Sequence, residues 1–254
     1  MDTGIIICAG GTPAADYAFR YLKEWGVPVT KDLSPTGRHL LLDCPSFRED
    51  GQLRCGGDVC DILRQLSADV TVWGGNLNHP KLSNHKAVDI LKDPYYLTEN
   101  AYITAECALD VTLPRFSGLL RGCPVLIIGW GRIGKCLGRL LRALDADVTV
   151  AARKESDRAM LAALGYRAAD ATSLAELLPR FRLIYNTAPE PVLCREQTAL
   201  CSPECLKIEL ASKPGMEGEG ILIARGLPGI HRPEASGQLI ARTLLRYLNK
   251  EESS

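Results

Sequence analysis

Residues 123–154 read CPVLIIGWGRIGKCLGRLLRALDADVTVAARK, and this stretch decides the fold. Val125 to Ile128 is a short unbroken apolar run, the pattern of a strand covered on both faces. Gly129-Trp130-Gly131-Arg132-Ile133-Gly134 follows it, and a helix begins within that string. Ile133, Leu137, Leu140, Leu141 and Leu144 fall at i, i+4, i+7, i+8 and i+11, so they share one face. Arg132, Lys135, Arg139 and Arg142 lie largely off it. Asp147 to Ala152 then reads as a second strand, completing a βαβ unit. A lone G-x-G-x-x-G says little, but between a strand and a helix each glycine has a task. Gly129 allows the tight turn, Gly131 lets backbone approach a pyrophosphate, and Gly134 lets the helix pack close to the strand. The helix N-terminus adds unpaired N–H groups and partial positive charge. The stretch therefore predicts a dinucleotide-binding Rossmann domain, with Gly129, Trp130, Gly131, Arg132, Ile133 and Gly134 around the phosphates.

The end of the second strand indicates which dinucleotide. An NAD site places Asp or Glu there, where it holds the ribose 2′-hydroxyl. Here the string is Ala151-Ala152-Arg153-Lys154, so two cations stand where the acid is expected. A guanidinium grips a 2′-phosphate bidentately and an ammonium adds a point charge. Residues 132–182 hold ten Lys and Arg against six Asp and Glu, a local positive balance. The expected cofactor is NADP, bound through Arg153 and Lys154; the plain alternative is a pair of solvated surface cations.

Working outward, the first hundred residues alternate short β-rich runs (GIIICAG, VPVT, HLLLDC, VTVWGG) with helical stretches (AADYAFRYLKEWG, DVCDILRQL). That alternation implies a parallel sheet with helices on its faces. The expected architecture is α/β: a doubly wound parallel Rossmann sheet over residues 103–231 and a smaller N-terminal α/β domain over residues 1–102 on the substrate side. A final helix over residues 233–248, carrying Leu239, Ile240, Leu244, Leu245 and Leu248, is expected to pack back on the first domain. Gly226-Leu227-Pro228-Gly229 before it reads as a rigid turn.

The whole chain has 254 residues, 46% hydrophobic and 24% charged, enough apolar matter for a sizeable core. Thirty Lys and Arg balance thirty Asp and Glu, so no global basic surface points to nucleic acid. The opening MDTGIIICAGG lacks the basic and long apolar regions of a signal peptide, and no run reaches the ~20 apolar residues of a membrane span. A cytoplasmic protein is expected. Ten cysteines are present but no C-x-x-C occurs, and Cys194, Cys201 and Cys205 have no nearby His or second pair to complete a zinc set. Free structural thiols and no metal are the expectation.

Downstream, Asn186-Thr187-Ala188-Pro189 follows a buried strand, Leu183 to Tyr185, at the carboxyl edge where such sheets bind ligands. An amide and a hydroxyl there suit the nicotinamide ribose or carboxamide; an Asx or ST turn is the alternative. Glu209-Leu210-Ala211-Ser212-Lys213-Pro214-Gly215 follows the next strand at the same edge. Lys213 is the candidate anchor for a substrate carboxylate and Ser212 a candidate proton relay, against a merely surface lysine. Glu106, in Thr104-Ala105-Glu106, reads as lying at the start of the helix that links the two halves. It is either a cleft residue near the nicotinamide or an acid complementing the helix dipole.

Together with TAECAL and VAARK, the strings LIYNTAPEPVL, KIELASKPG and ARGLPGIHRPEASGQLIARTLLRYL make residues 99–248 similar to the dipicolinate synthase A subunits. That family sits in the 2-hydroxyacid-dehydrogenase-like Rossmann group. The resemblance implies NADP binding and, with a flavoprotein-like B subunit, conversion of 4-hydroxy-tetrahydrodipicolinate from the lysine pathway into dipicolinate for the bacterial spore. A homo-oligomer stays open. Two positions depart from the pattern: Glu209 stands where the family usually has Asp, and Glu234 where it usually has a basic residue. Hydroxyacid dehydrogenases commonly carry a catalytic His near Pro233-Glu234-Ala235-Ser236-Gly237; this chain has none there, and His231 is the nearest substitute. Two other functions remain open, an NADP-dependent reductase of another small oxo or hydroxy acid and a non-catalytic NADP-binding subunit.

Overall fold

A computed structural model describes residues 4–251. The chain divides into two compact units, residues 1–100 with 228–254, and residues 101–227. The chain passes from the first unit to the second inside one helix and returns at Leu227.

In the first unit, β1 (Ile5–Cys8), β2 (Val29–Thr30), β3 (Gly37–Leu41), β4 (Thr71–Gly74) and β5 (Ala87–Asp89) form one parallel sheet in the order β2-β1-β3-β4-β5. Helix α1 (Pro13–Glu24) follows β1, starting with Thr12 as a cap whose hydroxyl accepts from the Ala15 N–H. Helix α2 (Val59–Leu63) is much shorter than the stretch DVCDILRQL promised. Ile7, Leu40, Leu42, Val72 and their neighbours fill one face of the sheet.

At the carboxyl edge of this sheet the loop into α1 already has its anion. Asp43, just past β3 and buried, accepts from the N–H groups of Gly11 (3.1 Å) and Thr12 (2.9 Å) and from the Thr12 hydroxyl (2.6 Å). An internal carboxylate thus fills the place where a phosphate binds in open sheets of this order.

Helix α3 (Pro94–Thr112) begins ten residues before Thr104. The start is set by Asp93, whose carboxylate accepts from the Tyr96 N–H at 2.7 Å, with Pro94 in the first turn. Glu106 therefore lies in the second half of a nineteen-residue helix and not in its first turn, so it does not complement the helix dipole. Local sequence pointed to Thr104 because the apolar pattern tightens there; the true start is decided by the Asp-Pro cap upstream.

The second unit holds β6 (Pro124–Ile128), α4 (Arg132–Ala143), β7 (Asp147–Ala152), α5 (Glu155–Ala163), β8 (Arg167–Asp170), β9 (Leu183–Asn186), α6 (Arg195–Thr198), β10 (Leu206–Glu209) and β11 (Ile221–Ile223). All six strands are parallel, in the order β11-β10-β9-β6-β7-β8. This is the doubly wound Rossmann arrangement, whose winding reverses between β6 and β9. Strands β6 and β9 are buried along nearly their whole length. Below them the Tyr185 hydroxyl reaches Thr112 Oγ1 at 2.7 Å, while Thr112 donates to the Ala108 carbonyl.

Gly134, Leu137, Gly138 and Leu141 are the buried positions of α4. Leu144, expected on the same face, caps the helix and is exposed. The expected turn at Gly226–Gly229 is instead a one-turn helix, α7 (Leu227–His231), entered through Gly226 at φ 63°. Pro228 sits in its first turn, where the fixed φ of proline favours a helix start.

Helix α8 (Pro233–Glu251) closes the first unit by lying along α1. The approach is close at Gly237, where a Cβ would come within 2.4 Å of the Ala14 carbonyl oxygen. Tyr21 of α1 donates to Glu234 of α8 at 2.9 Å, and Asp93 accepts from Tyr247 at 3.0 Å.

Candidate functional site

A cleft of about 450 Å³ opens at the carboxyl edge of the second sheet, over the ends of β6, β7, β8 and β9. Its floor is the glycine turn. Gly129 leaves β6 at φ +105°, a conformation that favours glycine, and its N–H bonds the Ala151 carbonyl. Gly134 sits directly beneath: a Cβ there would stand 2.2 Å from the Gly129 carbonyl oxygen. Thr187 completes the contact, its hydroxyl donating to the Ile128 carbonyl at 3.0 Å while facing both glycines. Gly131, by contrast, has nothing within 4 Å of its Cβ position, and no side chain caps α4.

Those observations answer whether a nicotinamide dinucleotide fits. Among the described residues no side-chain acceptor meets the first N–H groups of α4, and the turn in front of them has no Cβ at Gly129 and Gly131. Both features are what a pyrophosphate requires.

The wall over β7 carries Arg153 and Lys154, and both line the cleft. The Arg153 guanidinium is hydrogen-bonded to Glu190, four residues past β9. That contact raises the Arg153 pKa and holds the Glu190 carboxyl below its ordinary value. Lys154 has no ion pair among the described residues. Arg158, from α5, donates to the carbonyls of Ala152 and Arg153 and pairs with Asp170 at 3.2 Å, so the end of β7 is clamped from behind.

Of the residues expected at the cofactor, Gly129, Trp130, Gly131, Arg153, Lys154, Thr187 and Pro189 line this one cleft. Arg132 and Ile133 form the first turn of α4 behind it, and Gly134 is buried under the turn. The Trp130 ring leans edge-on against Tyr166 at 5.4 Å. Asn186 takes the turn that was the alternative to a nicotinamide contact. It is fully buried, its amide donates to Ala188 O and to both Glu209 oxygens, and its carbonyl accepts from the Ala188 N–H. No polar atom of Asn186 is left for a nicotinamide; it makes the turn after β9.

Glu209 is the residue whose role the sequence pattern conceals. Fully buried at the end of β10, it accepts from Asn186 at 2.8 and 3.1 Å and from the N–H groups of Ala211 (3.1 Å), Gly215 (2.9 Å) and Met216 (3.1 Å). One carboxylate therefore organises both loops at this edge. The signal was faint: an acid directly after an apolar strand, with glycine six residues on. Ser212 and Lys213 ride on the loop so formed; both are exposed and make no side-chain hydrogen bond among the described residues. Neither they nor half-buried Glu106 lines the nucleotide cleft.

None of the ten cysteines is joined in a disulfide. Cys205 donates to Cys201, which lowers the pKa of Cys201 and raises that of Cys205. Among the described residues no group of three His, Cys, Asp or Glu is placed to hold a metal ion, and no helix is long and apolar enough to cross a membrane.

Residues 97–198 match the model of the D-isomer specific 2-hydroxyacid dehydrogenase NAD binding domain. Fold, glycine cradle and this match define a pyridine-nucleotide-dependent oxidoreductase. The chain is also 31% identical over 202 residues to the A subunit of dipicolinate synthase from Bacillus subtilis, covering 74% of this chain and 68% of that protein. It belongs to the family of dipicolinate synthase A subunits.

The fold agrees with solved structures. The dipicolinate synthase A subunit from Bacillus halodurans superposes with a TM-score of 0.85 at 23% identity, over 96% of this chain and 97% of that one. Its counterpart from Bacillus subtilis gives 0.82 at 21%, over 98% and 96%. A transhydrogenase from Sinorhizobium meliloti gives 0.70 at 14%, over 91% and 80%.

Proposed function

We propose that this chain is the NADP-dependent subunit that forms dipicolinate from 4-hydroxy-tetrahydrodipicolinate, working with a flavoprotein-like B subunit. The observation that carries the NADP preference is the end of β7, where Ala151-Ala152-Arg153-Lys154 includes no acid and both cations line the cleft. The dinucleotide, when bound, accepts a hydride. The reaction balances as loss of water from the 4-hydroxy ring and removal of two electrons and two protons, leaving an aromatic pyridine dicarboxylate and reduced NADP. Aromaticity favours the oxidation, so orientation and charge are what the protein contributes.

In this reading the open N–H groups at the start of α4 hold the pyrophosphate, and Arg153 and Lys154 hold the 2′-phosphate. Lys213, on the loop that Glu209 anchors, meets a substrate carboxylate, with Ser212 and Glu106 as proton-handling candidates. Glu234 stands where the family usually has a basic residue, and its carboxylate is engaged by Tyr21 between α1 and α8. That engagement favours a second reading, in which the chain binds NADP and the chemistry needs its partner.

The test is incubation with enzymatically generated hydroxy-tetrahydrodipicolinate and NADP, with and without a B subunit, following pyridine absorbance. Dipicolinate in either tube supports the proposal, and comparison of the two tubes shows whether the chemistry needs the partner. No dipicolinate in both tubes, with the nucleotide bound, refutes it and leaves another small oxo or hydroxy acid as the substrate.

A further inference from the structure

In the sheet order, β6 lies between β7 and β9, and β6 carries the glycine turn. Arg153 comes from the end of β7 and Glu190 from the segment after β9, so their ion pair passes across the mouth of that turn. Both side chains stay more than half exposed, 65% and 53%. A pair this exposed is a weak contact, whereas a guanidinium on a phosphate forms a strong, charge-assisted one. The exchange of partners is therefore downhill for a ligand with a 2′-phosphate and has no counterpart for one with a 2′-hydroxyl.

We propose that Glu190 is a specificity-determining residue: it holds Arg153 across the glycine turn and surrenders it to the 2′-phosphate of the incoming dinucleotide. The inference rests on the NADP reading above. It assigns to Glu190 the setting of how strongly NADP is separated from NAD. The carboxylate lowers affinity for the 2′-phosphorylated ligand by competing for Arg153, while Lys154, which also lines the cleft, has no ion pair among the described residues.

The experiment is calorimetric titration of the full chain with 2′,5′-ADP and with 5′-AMP, which differ only in the 2′-phosphate, at one fixed salt concentration. Glu190→Ala and Glu190→Gln are each expected to bind 2′,5′-ADP about two- to fivefold more tightly, the range a surface ion pair of this strength allows, with 5′-AMP changing less than about 1.5-fold. Against Arg153→Ala, removing Glu190 is expected to add less than about twofold. Unchanged or weaker 2′,5′-ADP binding in both Glu190 variants overturns the proposal. An undiminished gain in the Arg153→Ala background also overturns it, because Glu190 would then act as bare repulsion. If the natural chain does not distinguish the two ligands, the NADP reading fails. The competition by Glu190 then stands if the Glu190 variants create a preference, and falls with it if they do not.

Discussion

Replacing Glu209 by glutamine removes a charge without changing shape, and its cost is calculable from the contacts. The carboxylate takes the Ala211 N–H and Asn186 on one oxygen, and the Gly215 and Met216 N–H groups with Asn186 on the other. A glutamine has one acceptor oxygen and one NH₂. Its better orientation keeps the oxygen on Gly215, Met216 and the longer Asn186 contact, and turns the NH₂ toward Ala211 and Asn186, so that the Ala211 N–H is left facing another donor. An orphaned buried N–H costs about 1–3 kcal/mol, and the surviving bonds weaken from charged to neutral by about 1 kcal/mol each. The lower cost of burying a neutral group offsets part of this. The expected net loss is about 2–4 kcal/mol, a fall in Tm of roughly 5–12 °C. Urea unfolding and differential scanning calorimetry of the purified variant measure it directly. A loss below ~0.5 kcal/mol, within the noise of neutral surface changes, would falsify the view that this carboxylate organises the two loops.

Three further outcomes are expected. Arg153→Ala should weaken NADP by about ten- to a hundredfold, since a charge-assisted bond is worth ~1.5–3 kcal/mol, and equal NAD and NADP affinities in the natural chain would contradict the assignment. Lys213→Ala should raise the KM or abolish turnover while NADP affinity moves by less than about threefold. Loss of NADP binding there would move Lys213 to the cofactor site, and normal turnover would shift the carboxylate anchor to Arg225, His231 or Arg232. Thiol titration in denaturant should count ten free thiols, with no zinc on elemental analysis; stoichiometric zinc or a lower count in freshly reduced protein is incompatible with the free cysteines of the fold.

Local sequence determined the elements whose signal is complete within a few residues. Val125 to Ile128, the three glycines and Asp147 to Ala152 announce a strand, a phosphate turn and a strand because each needs only its own apolar run or its own missing Cβ. The cations at Arg153 and Lys154 are legible for the same reason: their place follows from the strand they end. Edge strands such as Arg167–Asp170 carry no apolar run, so the sheet alone makes them strands. Glu106 was misplaced because a cap at Asp93, thirteen residues away, sets the register of its helix. The Asn186–Glu209 contact and the Arg153–Glu190 pair belonged to tertiary structure. Whether an amide or a carboxylate at a strand end faces a ligand or the protein depends on which donors the neighbouring strands bring to it. At Glu209 the neighbouring strand brings the Asn186 amide while the three N–H groups come from its own loop, two to seven residues on, and at Glu190 the partner is Arg153. Hydrogen bonds and ion pairs between residues far apart in the chain are fixed by strand order, which no short window of sequence contains.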